Sequence, residues 1–184
     1  MVLMNYYGAR DLAEAFRTVR KNTLIIAGEI DPNHYAFKAA PDTRSVGQIL
    51  VHISYLHKLQ SEIHAVRRLN TLQDFDFFGF LGPLIAGEQD RREKDEILGL
   101  LRAGGESFAG WLESLPDEFL GESVTMPAGM SPASKTRFEM ILGVKEHEMH
   151  HRGQLMLLER MLGMTPHLTR EMQTRFAAMQ TAKT

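Results

Sequence analysis

The sequence predicts an all-α protein: a four-helix bundle with a C-terminal helical extension. Three observations carry this prediction. Four long segments repeat apolar residues at steps of three and four, the period of a helix with one buried face. Two of those segments open with a capping box, and the last of the four closes on a glycine. No stretch sustains the strict alternation of a half-buried strand. The 184 residues fit one domain, 1–184, long enough to bury a real core.

The first helix runs from Asp11 to Glu29, with Leu12, Phe16, Val19, Thr23, Ile26 and Ile30 as its apolar stripe. Arg17, Arg20 and Lys21 lie off that stripe. Asp31-Pro32-Asn33 ends the helix, because proline cannot continue the hydrogen-bond ladder. A loop through Pro41 and Asp42 leads to Ser45-Val-Gly-Gln48, a capping box that opens helix two. Helix two reaches about Asn70 on the stripe Ile49, His52, Ile53, Leu56, Leu59, Ile63 and Val66. His57 and His64 point elsewhere and read as solvated or boundary residues.

The stretch 71–89 has no helical or strand period. Its segment 74–83 is rich in glycine and phenylalanine and reads as an apolar loop, packed over a bundle end, over a partner subunit, or along a pocket. Asp90 to Leu115 forms helix three on Ile97, Leu100, Leu101, Phe108, Trp111, Leu112 and Leu115, with Gly104-Gly105 as a place to bend. The long connection 116–134 suits a crossover between helices that are not simple neighbours. Thr136-Arg-Phe-Glu139 caps helix four, which runs to Leu162 and stops at Gly163. A short amphipathic segment with Leu168, Met172, Arg175, Phe176 and Met179 follows, to about Thr181.

Composition excludes several classes. Net charge is −2 and the charges are interspersed, so no basic surface for nucleic acid is expected. There is no cysteine, hence no disulfide, no thiolate nucleophile and no Cys-based zinc site. The first residues lack a charged stretch followed by an apolar one, and no run of about 18 apolar residues offers a membrane span. The expectation is a soluble cytoplasmic protein.

Helix four carries the chemistry. His147 and His151 stand four residues apart on one helix face, with Cβ atoms about 6 Å apart, close enough to share a metal ion. Met140, Val144, Leu155, Leu158 and Leu162 share that face, so both imidazoles point toward a core rather than water. His52 falls on the apolar stripe of helix two. Three histidines from two facing helices would make a His₃ site with positions open for water or substrate. The alternative is three separate core histidines, hydrogen-bonded to backbone or to one another. Gln154 lies near the His147 face, as a hydrogen-bonding support or a plain interhelical contact. His150 reads as a boundary residue. Gly153, in mid-helix, suggests close approach of a neighbouring helix. His147-Glu-Met-His-His151 also matches the H-E-x-x-H zinc-peptidase pattern, with Glu148 as general base. The extended pattern fails at Gln154, and Glu171 is separated from it by Gly163 and Pro166. Glu146 and Glu148 otherwise read as solvated charges on the helix shoulders.

Ser45-Val-Gly-Gln-Ile-Leu-Val-His52, together with His147-Glu-Met-His-His-Arg-Gly-Gln154, resembles the DinB/YfiT-like superfamily over nearly the whole chain. The resemblance implies a divalent metal, usually nickel or zinc, held by His52, His147 and His151, and commonly a homodimer. It further implies a metal-dependent enzyme acting on a small molecule. The reaction class would be thiol-dependent S-transfer or isomerisation with a low-molecular-weight thiol co-substrate, or hydrolysis. A non-enzymatic, stress-associated bundle with a structural metal is the other reading.

Overall fold

The computed structural model describes residues 7–181. The start of the chain, searched above for a leader, lies outside them. Helix α1 spans Ala9–Glu29 and α2 spans Val46–Ser61, its Ser45–Gln48 capping box formed as expected. A five-residue π turn, Glu62–Val66, ends that arm. Then come α3 (Phe77–Gly87), α4 (Lys94–Glu113), a single turn α5 (Asp117–Leu120), α6 (Arg137–Met161) and α7 (His167–Thr181). The Thr136–Glu139 box caps α6, and Gly163 follows it at φ +79°, where glycine carries no Cβ penalty. Helices α1, α2, α4 and α6 pack on one another as the bundle. None of the described helices is long and apolar enough to cross a membrane.

Two expectations about regular structure need correction. The aromatic stretch is a helix, α3, from Phe77 onward. Asp76 accepts the Gly79 amide at 2.8 Å and opens it, and Pro83 lies inside it. Its period is hidden because it has no polar face: no residue of α3 is buried, and Phe78 is 91 % exposed. Phe75, just before it, packs with Ile63, Leu72, Val124 and Met140 at the bundle end. A small antiparallel hairpin, β1 (Ser123–Thr125) with β2 (Ser134–Thr136), also spans the connection 116–134 and the two residues that lead into α6. Three-residue strands are too short for alternation to register.

The core holds a buried ion pair that periodicity did not reveal. Arg20, placed off the stripe, is 4 % exposed, and Glu148, read as a shoulder charge, is 0 % exposed. Arg20 donates through Nε to Glu148 Oε1 and through Nη2 to Oε2, both at 2.9 Å. Its Nη1 donates to the Leu101 carbonyl at 2.6 Å, so one side chain ties α1 to α4 and α6. Room for it comes from Gly105: a Cβ there would stand 2.9 Å from Arg20 Cγ and Nη1. Gly104-Gly105 does not interrupt α4, which is continuous from Lys94 to Glu113; Gly105 admits the guanidinium. Gly105→Ala is expected to destabilise by about 1–3 kcal/mol through overpacking. Gly153 was expected at a close helix approach. It lies instead on the exposed face of α6, half a turn from Val144, and an added Cβ meets nothing within 4 Å. Gly153→Ala should stabilise by up to about 1 kcal/mol. Urea titration of the two variants tests both signs.

His64 is a further correction: it is buried, not solvated. Arg137 Nη1 donates to its Nδ1 at 2.8 Å, so the imidazole proton sits on Nε2, facing Gln60 Oε1 at 2.9 Å. Burial, with the guanidinium second, pushes its pKa down to about 4. A histidine kept neutral by folding contributes stability above its unfolded pKa of about 6.5 and loses it as pH falls toward 4. The stability gap between wild type and His64→Gln should narrow by about 2 kcal/mol between pH 7 and pH 5. A gap that stays constant would show that His64 does not titrate in that window.

Candidate metal centre

Locking Glu148 inside the bundle fixes the rotation of α6. At 100° per residue, His147 and His151 then fall on the same side of Glu148, toward α2. There they meet His52. One nitrogen from each of His52, His147 and His151 lies within 4.8 Å of the others. The ring centroids stand 5.3 Å (His52–His147), 4.6 Å (His52–His151) and 4.7 Å (His147–His151) apart. His151 is buried, His52 is partly covered and His147 is exposed. The expectation that both helix-four histidines face the core thus holds for His151 only. His147 lies about 60° from Val144 around the helix, where α2 and α6 leave a groove open.

Each well-covered histidine is held by a second group. Glu88 Oε1 stands 2.6 Å from His52 Nδ1, and its other oxygen accepts from Arg44 Nε at 2.7 Å. Glu88 is 3 % exposed. Its carboxylate accepts the Nδ1 proton of His52, which leaves the Nε2 lone pair free. Gln154 Oε1, 2.8 Å from His151 Nδ1, does the same for His151. Gln154 was expected near His147; the structure gives it to His151, with its amide nitrogen 3.1 Å from His150 Nε2. Desolvation, chiefly, lowers the pKa of His147 and takes that of His151 down to about 4. Near neutral pH these rings present lone pairs without first losing a proton.

The residues fit a divalent ion. The Nε2 atoms of His147 and His151 are 2.9 Å apart. Two nitrogens bound at about 2.1 Å and at right angles stand about 3.0 Å apart. Three imidazoles without thiolate suit a divalent ion such as zinc, copper, iron or nickel, and leave positions for other ligands. Glu148 does not belong to this centre, since Arg20 occupies both its oxygens; it is not placed as a general base, and the peptidase pattern loses its key residue. Glu146 is exposed, and Glu171 lies on exposed α7 beside Arg175.

Sequence reasoning missed Glu88 and Arg44. Glu88 follows an apolar run that carried no period, so nothing tied it to His52. Loss of such a support costs 10–100-fold in metal affinity. Glu88→Gln is expected to weaken zinc binding by that factor in a competition titration, with the helical content unchanged.

An α-helical bundle with a three-histidine cluster defines a class. Within it, the model of the DinB family matches residues 3–183, and the chain belongs to the DinB family. Solved structures share the fold. A DinB-like protein from Bacillus subtilis is 21% identical, with a TM-score of 0.61, over 84% of this chain and 92% of its own. An uncharacterized protein from Clostridium difficile 630 is 15% identical, with a TM-score of 0.66, over 85% and 98%. A protein from Streptococcus pneumoniae is 16% identical, with a TM-score of 0.64, over 86% and 94%. No curated protein matches the chain.

Proposed function

We propose that the protein is a divalent-metal-dependent transferase that joins a low-molecular-weight thiol to a small electrophile. The observation that carries this reading is the placement of the histidine cluster between two clefts that meet at it. On the His52 and His147 side lies a cavity of about 500 Å³ walled mainly by apolar side chains. Toward His151 and Gln154 lies a second of about 620 Å³, more mixed in lining, where Lys38, Asp42 and Gln89 stand beside Ile49, Leu157 and Leu158. Arg44 and Glu88 line both. Two clefts meeting at one centre suit two substrates brought together for transfer.

A bound ion would favour the thiolate form of a thiol, or lower the pKa of water in a hydrolase. The chain's own residues do the rest. Glu88 and Gln154 hold His52 and His151 in the tautomer that ligates, and Arg44 holds Glu88 in place through its 2.7 Å hydrogen bond. The apolar walls keep water from the electrophile. Nickel and zinc both suit the donor set, and a homodimer is proposed alongside, for which Met172, Phe176 and Met179 on exposed α7 offer an apolar face.

The test is turnover by zinc- and nickel-loaded protein with a thiol and a panel of electrophiles such as epoxides and activated alkenes. Thiol consumption that requires the metal supports the transferase. Metal-dependent hydrolysis without thiol consumption would replace it by a hydrolase. Stoichiometric metal with neither activity would favour the non-enzymatic bundle.

A further inference from the structure

The apolar cleft has a shape that specifies what lies in it. It runs along the α2–α6 groove from His52 and His147 to the β1–β2 hairpin, where Met126 and Lys135 close it. On α6 its wall extends from Glu139 to His147, about 12 Å at the helical rise. Leu59, Ile63 and Met140 form the floor. The roof is α3, through Phe77, Leu81 and Leu84. This explains a helix that is almost wholly apolar yet buries none of its residues: Phe77 and Phe80 rest against the Phe75 cluster, while Leu81 and Leu84 cover a cavity. In the middle of the α6 wall stands Gly143. A Cβ there meets nothing within 4 Å. Glycine in a helix interior costs about 1 kcal/mol against alanine, and no neighbouring side chain requires it here. What it leaves is width in the groove, one turn from His147.

We propose that the substrate admitted to this cleft is a small amphiphile, with a metal-ligating polar head at the histidines and an uncharged apolar body beneath α3, and that Gly143 sets the width available to that body. The inference rests on the metal-dependent reading for the head, while the body is read from the cleft alone. A polyhydroxylated body would strand its hydroxyls against leucine, isoleucine and methionine walls. An aliphatic or aromatic one buries surface at each carbon. Cavities of this size hold molecules of drug-like dimensions.

The test has two arms. In the first, metal-free protein is titrated with the uncharged fluorescent probe N-phenyl-1-naphthylamine. Saturable binding is expected, weakened at least tenfold by Gly143→Leu, which places a side chain in the cleft. Circular dichroism of that variant should match wild type, and its melting temperature should not fall. In the second arm, zinc-loaded protein is titrated with n-alkyl hydroxamates from acetyl to octanoyl. Affinity should rise about fourfold for each methylene buried, until the cleft is full. In Gly143→Leu the series should flatten, with acetohydroxamate bound as by wild type. A flat series in the wild type, or equal probe binding by wild type and variant, overturns the proposal. Failure of zinc to bind would undo the functional reading, and the probe arm would still decide the character of the cleft.

Discussion

Glu148→Ala is expected to lower the stability of the protein by about 3–5 kcal/mol, the usual cost of stranding one member of a buried ion pair. At about 2–4 °C per kcal/mol for a chain of this size, the melting temperature should fall by about 6–20 °C. The reason is geometric. Arg20 reaches Glu148 with two parallel hydrogen bonds and the Leu101 carbonyl with a third, all away from water. Removing the carboxylate leaves a guanidinium in the core with only the Leu101 and Ile53 carbonyls as partners and no countercharge. Arg20→Met with Glu148→Leu should recover most of the loss, because desolvating a pair offsets much of its attraction. Thermal melts and urea titrations of the single and double variants measure this. A single variant as stable as wild type would mean that the pair does not hold the bundle. Because Glu148 sets the rotation of α6, partial unfolding should also scatter His147 and His151, so metal affinity should fall in the same variant.

The second large effect is ligand-linked stability. An ion bound only by the folded state raises stability with the logarithm of its excess, by about 4 kcal/mol at a thousand times the dissociation constant. Zinc or nickel at that excess should raise the wild-type melting temperature by about 10 °C. His52→Ala, His147→Ala and His151→Ala should each lose this shift. His147→Ala is the cleanest of the three, because its side chain is exposed and its loss leaves no core cavity. Equal shifts in wild type and His147→Ala would remove that residue from the site.

The sequence made much of this visible where a rule links spacing to place. Ser45–Gln48 and Thr136–Glu139 marked two helix starts because a capping box depends only on local partners. The His52, His147 and His151 cluster could be read because helical period assigns each residue an angle. What the period cannot say is whether another element covers that angle. His147 sits at the edge of its stripe and ends up exposed, while His64, off its stripe, is buried against Arg137. The Arg20–Glu148 pair spans 128 positions, and charged residues read singly look solvated. Gly153 stands opposite Val144 on the helix, so the wheel itself placed it outside. Helix α3 escaped because a helix that roofs a cavity needs no polar face, and Glu88 escaped with it.

The most direct measurement is metal content by mass spectrometry on protein made without a histidine tag or nickel column, alongside His147→Ala. The account predicts about one divalent ion per chain in the wild type and almost none in the variant. A metal-free wild type that takes up neither zinc nor nickel when they are offered would contradict it. His52, His147 and His151 would then be hydrogen-bonded histidines in a groove, with Glu88 and Gln154 as their partners and no ion to hold.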